Sequence, residues 1–183
     1  MYSEEELIRR CLNNNARAQE EFYRRFASKM YGVCLRFAKN RMEADDFLQE
    51  GFIKVFMNLG SFRNEGSLEG WIRRTIVNTA INLIKKNHKY LQDTDLDKAD
   101  LVETRANALE DLNTEELLGM IAELPPGYRM VFNLNVIEGY RHKEIGELLD
   151  ISENTSKSQL SRARNALQQK IAQLQETLNE QEI

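Results

Sequence analysis

Two prolines and nine glycines among 183 residues leave the chain few places to turn, and no stretch alternates strictly between polar and apolar side chains. That scarcity excludes a turn-rich β architecture. The abundance of Leu, Glu, Lys, Gln, Ala and Asn predicts a nearly all-helical protein. No apolar run reaches the roughly 20 residues that span a bilayer, so no membrane insertion is expected. The opening Met1-Tyr2-Ser3-Glu4-Glu5-Glu6 is acidic where a signal peptide is basic and then apolar, which predicts a cytoplasmic protein. Only two cysteines, Cys11 and Cys34, and two histidines occur, without metal-ligand spacing. The thiols read as reduced and partly buried, and no metal or cofactor is expected. An activated nucleophile and a phosphate-binding loop are missing too, so the chain is not expected to be an enzyme and offers no catalytic residue.

What is there is ordinary in bulk and uneven in detail. With 42% hydrophobic and 30% charged residues the chain is too apolar to be disordered. Its length suits one medium domain or two small ones. The net charge of −4 argues weakly against nucleic acid, but the average hides the distribution. Segment 70–90 carries Arg73, Arg74, Lys85, Lys86 and Lys89 and no acid, and segment 154–170 carries Lys157, Arg162, Arg164 and Lys170 and no acid. Between them, residues 91–123 hold ten acidic side chains against Lys98 and Arg105. Two basic patches around an acidic stretch suggest two nucleic-acid surfaces, although a basic helix face is more often merely solvated.

Helical spacing of apolar residues organises the first part. Leu7, Ile8 and Leu12, then Phe22, Phe26, Met30, Val33 and Phe37, predict two or three helices over 4–40. A further helix is expected from near Glu43, with Leu48, Phe52, Val55, Phe56 and Leu59 buried and Gly60-Ser61 ending it. After a polar loop at 62–67, another is expected from Leu68 to His88 with Ile72, Ile76, Ala80, Leu83 and Ile84 inward. From 91 to 113 the period fades and acids dominate, as in a flexible linker. A second helical set begins near Thr114, pauses at Pro125-Pro126-Gly127, and continues at about 127–137, 141–149 and 153–175.

The last of these segments has a mechanism written into it. Tyr140 to Ser152 reads as a short helix and a tight turn in which Ile145, Leu148 and Leu149 pack inward. Asp150 tolerates a left-handed position, and Ser152 can cap the next helix. Leu160, Ala163 and Leu167 then form the buried stripe, leaving Lys157, Ser158, Gln159, Ser161, Arg162, Arg164 and Asn165 outward. Such a helix can enter the DNA major groove, with Arg reading guanine, Gln reading adenine and Lys holding phosphate. An ordinary helical hairpin with a charged outer face is the competing reading of this segment alone.

Ile151 to Arg164, running Ile-Ser-Glu-Asn-Thr-Ser-Lys-Ser-Gln-Leu-Ser-Arg-Ala-Arg, resembles the recognition helix of extracytoplasmic-function (ECF) sigma factors of the sigma-seventy family. Leu124-Pro125-Pro126-Gly127-Tyr128-Arg129 resembles the start of the same domain. The resemblance implies contact with the minus-thirty-five promoter element through Thr155, Lys157, Ser158, Gln159, Ser161 and Arg162, and contact with the flap of the polymerase beta subunit. Three positions depart from the pattern. Asn154 stands where glycine is common, the mildest replacement if a positive φ is needed. Ser156 replaces an apolar residue, which is expected to loosen the seat of the helix. Gln159 replaces a frequent arginine, which bears on base preference.

Glu43 to Phe52 resembles the best-marked motif of the sigma N-terminal domain. Asp46, Gln49 and Glu50 fall at i, i+3 and i+4, one acidic and amide-bearing face that is most often simply solvated. Under the resemblance this face, with Asp45, docks on the coiled coil of the polymerase beta-prime subunit, where opposite charge would orient the encounter. The following loop and helix resemble the promoter-melting segment, which implies minus-ten contacts from Phe62, Arg63 and Asn64 in the loop. Trp71, Arg74, Asn78, Asn82 and Lys85 join them from the helix. Holding an unstacked base needs a pocket or a stacking surface. Trp71, the only tryptophan, reads rather as an anchor for the loop than as that surface.

The expectation is therefore an all-α protein of two small helical domains. A region 2-like domain spans 1–90, a flexible acidic linker 91–113, and a region 4-like helix-turn-helix domain 114–178. The implied partners are core RNA polymerase and promoter DNA, with an anti-sigma factor a common further partner in the family. The alternatives are a free-standing helix-turn-helix regulator and an adaptor that binds no DNA.

Overall fold

The computed structural model describes residues 2–86 and 114–181. The expected linker at 91–113 and the last two residues of the helix expected to reach His88 lie outside the described residues. All regular structure among the described residues is helical, and the chain divides into two compact units at Lys86 and Asn87.

The first unit contains α1 (Glu4–Leu12), α2 (Ala16–Phe37), α3 (Arg41–Asn58), one 3₁₀ turn (Leu59–Ser61) and α4 (Leu68–Lys86). Each of the first three helices starts where a side chain accepts from an otherwise orphaned backbone N–H. Ser3 accepts from Glu6, Asn15 from Ala18 and Asn40 from Glu43. Three acids in the first turn of α1 further suit its positive end. α3 packs on α2 and α4, and α1 packs on α2. Phe22, Met30, Phe37, Phe47, Val55, Ile72 and Ile76 are buried between them. The Phe22 ring lies 5.1 Å from Phe26 and 5.4 Å from Phe56, and Tyr23 lies 4.7 Å from Phe52, all in tilted arrangements. Gly51 lets α3 and α4 close on each other, since a Cβ there would lie 2.8 Å from Cγ1 of Ile76.

Several inward assignments shift. Leu12 is 48% exposed because α1 ends there and only Leu7 and Cys11 face the core. Leu83 is half-buried, and Val77 and Ile81 fill the core of α4 instead. Phe47 joins the buried face of α3, while Phe56 is only half-buried. The changes in α3 and α4 share a cause: each is covered by more than one neighbour, so their apolar arcs are wider than a single stripe.

The second unit contains α5 (Thr114–Ala122), α6 (Pro126–Phe132), α7 (His142–Leu149) and α8 (Glu153–Gln181). Pro126 opens α6 at its first turn, where a missing N–H costs nothing. The expected helix over 127–137 is not uniform. Its last part, Asn133–Ile137, widens into a π turn in which Glu138 N donates to Asn133 O at 2.9 Å. Ile121, Leu124, Tyr128, Ala163 and Leu167 form a core between α5, α6 and α8, and Ile145 and Leu149 seat α7 on α8. Leu148, expected inward, is half-buried.

Candidate nucleic-acid and polymerase interfaces

In the second unit the turn between α7 and α8 is held by the backbone. Asp150 adopts φ 56° and ψ 42°, the left-handed conformation that ends α7, and Ile151 N donates to Gly146 O at 3.1 Å. Glycine at 146 is a steric requirement, because a Cβ would meet the Ile151 carbonyl oxygen at 2.8 Å. The Ser152 hydroxyl accepts from Thr155 N at 2.9 Å and starts α8. Asn154 lies inside α8 and has no positive φ, since the left-handed residue of this motif is Asp150. α7, the turn and α8 thus form a helix-turn-helix.

Ser156 does not leave a loose seat. It is fully buried, and its Oγ lies 2.9 Å from Nδ1 of His142 at the start of α7. The hydroxyl replaces an apolar contact with a directional one, and a buried polar group that is paired escapes most of its desolvation cost.

Along the outer face of α8, Lys157, Ser158, Ser161 and Arg162 are exposed, whereas Thr155 and Gln159 are half-buried. Several already have partners. The Thr155 hydroxyl lies 2.8 Å from the Ser152 hydroxyl, and Ser158 donates to Thr155 O at 2.9 Å. Lys157 pairs with Glu153 at 2.6 Å, and its hydrogen bond holds the Glu153 carboxyl below the usual carboxylate range. Arg162 Nη1 donates to the Tyr128 hydroxyl at 3.5 Å.

In the first unit, Asp45, Asp46, Gln49 and Glu50 are all exposed on α3, and none of the three carboxylates is ion-paired among the described residues. The spacing puts Met42, Ile53 and Met57 on the same face, and they are 76%, 50% and 70% exposed. Sequence reasoning missed these three. An apolar residue on the outer arc is invisible until the inner arc is known, and their signal was that Met42, Ile53 and Met57 fall outside the buried stripe.

The minus-ten candidates divide into three groups. Phe62 and Trp71 stack at a tilt, 5.7 Å between centroids, and both are half-buried. They wall a cavity of about 230 Å³ together with Ser61, Arg63, Glu65, Gly66 and Ser67. Asn64 does not line it; at φ 57° it supplies the loop's left-handed turn. A second, more open groove of about 420 Å³ runs between α3 and α4. Trp71, Asn78 and Asn82 line it, and Asn78 Oδ1 is buried there without a hydrogen-bond partner. Lys86, already counted in the basic patch at 70–90, lines it as well, together with Lys54 and Asn58, two residues the sequence did not single out. Arg74 and Lys85, assigned to the minus-ten element together with Asn78 and Asn82, do not line this groove. Two hydroxyls in it, those of Thr75 and Thr79, donate to carbonyls one turn back at 2.9 and 2.8 Å.

A two-unit helical chain, with a helix-turn-helix in one unit and an exposed acidic helix face and aromatic-walled loop in the other, is the architecture of a sigma-seventy protein. A family model of sigma-70 region 2 matches residues 22–90, and one of sigma-70 region 4 matches residues 114–167. The RNA polymerase sigma-H factor of Pseudomonas aeruginosa is 27% identical, over 90% of this chain and 91% of its own. The ECF RNA polymerase sigma factor SigW of Bacillus subtilis is 31% identical, over 81% of this chain and 86% of its own. The sigma factor RpoE of Bartonella quintana, solved in complex with the anti-sigma factor NepR, shares the fold with a TM-score of 0.51. It is 19% identical, with 82% of this chain and 94% of that chain covered. The chain belongs to the ECF RNA polymerase sigma factors, and acts with RNA polymerase in transcription initiation. The free-standing regulator is not favoured. Among the described residues no helix is long and apolar enough to cross a membrane.

Proposed function

We propose that the protein docks on core RNA polymerase through the outer face of α3, reads the minus-thirty-five element with the outer face of α8, and holds the melted minus-ten strand at the loop before α4. The observation that carries this reading is the α3 face, where Met42, Ile53 and Met57 stand exposed among the unpaired Asp46, Gln49 and Glu50. Large apolar side chains left in water beside acids suit a protein partner with an apolar centre and a basic rim. The partner assigned to it is the coiled coil of the beta-prime subunit, and the flap of the beta subunit is assigned to the second unit.

Asp45 flanks that docking face. For the minus-ten element, the cavity walled by Phe62 and Trp71 offers room and an aromatic surface for one extruded base. Arg63, Arg74 and Lys85 would meet phosphates, and Asn78 and Asn82 base edges. On α8, Gln159, Ser161 and Arg162 are the base-reading candidates, with Thr155, Lys157 and Ser158 toward the backbone. The bond-making chemistry then belongs to the polymerase, the chain contributing no catalytic group of its own. An anti-sigma factor as partner and a cytoplasmic location are part of the same proposal.

The test is to mix the protein with core polymerase and map transcription starts on genomic DNA, with core alone as control. New starts that share two upstream elements are expected. The double variant Asp46→Lys with Glu50→Lys should lose core binding while keeping its helical content. Normal binding by that variant would sink the docking assignment, and no new starts from a stable wild-type complex would sink the promoter reading.

A further inference from the structure

We propose that Tyr128 is a positioning residue for Arg162: from the core of the second unit it holds the guanidinium in place on the outer face of the recognition helix, and so sets how sharply the promoter element is discriminated. The inference rests on the reading of Arg162 as a base contact.

Tyr128 lies in the first turn of α6 and is only 6% exposed. Its ring belongs to the cluster of Ile121, Leu124, Ala163 and Leu167, so the body of the side chain is fixed by packing. A buried tyrosine hydroxyl seeks a partner, and this one meets Arg162 Nη1 at 3.5 Å, across 34 residues of sequence. Arg162 itself is exposed and forms no ion pair with a carboxylate among the described residues. Two other cations on α8 are handled differently: Lys157 is paired with Glu153, and Lys170 with Glu123.

An exposed arginine samples many rotamers and loses that freedom on binding, whereas one restrained beforehand loses less. The Tyr128 hydroxyl engages one of five guanidinium N–H groups and leaves four, enough for the two-pronged contact that guanine accepts. A phosphate contact tolerates a wandering cation; a base edge does not. Tyr128 therefore acts on discrimination more than on general affinity for DNA. The bond is long, so the effect is small, about two- to tenfold, the range of one hydrogen bond's net worth.

The experiment uses holoenzyme formed from core polymerase and the full chain, on a promoter taken from the mapped starts and on the same duplex with its minus-thirty-five element scrambled. The ratio of the two affinities is measured for wild type, Tyr128→Phe, Arg162→Ala and the double variant. Phenylalanine keeps the ring in the core and removes only the hydroxyl, which unchanged thermal melting would verify. Tyr128→Phe should lower the ratio about two- to tenfold, with affinity for the scrambled duplex unchanged. In the Arg162→Ala background the same change should do nothing. A wild-type ratio for Tyr128→Phe, a higher one, or an equal drop without Arg162 would overturn the positioning role while leaving Arg162 as a base contact. An unchanged ratio for Arg162→Ala would remove the base contact itself, and the positioning role with it.

Discussion

The two units are assembled by different means. The first is closed by apolar shape: phenylalanines from α2 and α3 interlock, and a glycine lets α3 approach α4. The second has a smaller core and carries all three of the buried polar side chains found among the described residues, Arg129, Asn133 and Ser156. Arg129 donates to the Ala122 carbonyl at 2.8 Å and so closes the end of α5, and Ser156 meets His142. Apolar packing is strong and tolerant of direction, whereas hydrogen bonds are individually weak but fix orientation. The difference suits what is proposed for each unit. A docking platform needs rigidity across a broad face; a helix that reads base edges needs its angle set to within a side chain's reach.

The comparison breaks most visibly if the large aromatic core is hollowed. Phe47→Ala should cost the first unit about 3–5 kcal/mol, as for other buried phenylalanines, measured as loss of thermal stability. Both cysteines lie in this unit, and burial pushes Cys11 up to about 11 and Cys34 up to about 12. Native thiols should therefore label slowly near neutral pH, and Phe47→Ala should speed labelling in step with its destabilisation. Fast labelling of the wild type would contradict the closed core.

Next in size is the turn of the second unit. Gly146→Ala forces a Cβ against a backbone carbonyl, which cannot swing away as a side chain can. A loss of about 1–3 kcal/mol is expected for such a clash, with promoter binding weakened and core binding through the first unit retained. Chemical denaturation and filter binding would measure the two. Equal loss of both activities would mean that the units are not separable in this way.

Ser156→Val sharpens the comparison by turning the polar seat into an apolar one. The change in stability should stay within about 1 kcal/mol, because His142 is only half-buried and can turn its freed nitrogen to water. A large loss would show that the hydrogen bond, and not filled volume, seats α8. Smallest of all is a case where the units should behave alike. Hydrogen bonds from Arg10 and Lys157 hold the carboxyls of Glu6 and Glu153 below their ordinary value of 4.5. A depressed folded-state value contributes stability above that ordinary value and loses it as pH falls through the lowered one. Carboxyl titration by NMR should find both lowered, and Lys157→Ala should return Glu153 toward its ordinary range. Both groups are exposed, so the effect on stability should be slight.

Helical class, the two-unit plan, the helix-turn-helix and the position of its capping Ser152 were all legible in the sequence, since each depends on local spacing or on one residue's backbone preference. Asp150 was readable as a left-handed residue for the same reason. The exposed apolar residues of α3, the burial of Val77 and Ile81 in place of Leu83, and the lining of the groove by Lys54 and Asn58 were not. Each of those depends on which neighbours cover a helix, and a helical period alone does not say how wide the covered arc will be.

By itself, then, the sequence determined the helices, most of their starts and the motifs that carry the family, because capping, turn chemistry and apolar period act over a few residues. Tertiary structure alone decided that Ser156 would be satisfied by His142, 14 positions away, and Arg162 by Tyr128, 34 positions away. A hydrogen bond needs its partner within about 3.5 Å, and only the packed fold brings residues that distant in the chain so close together.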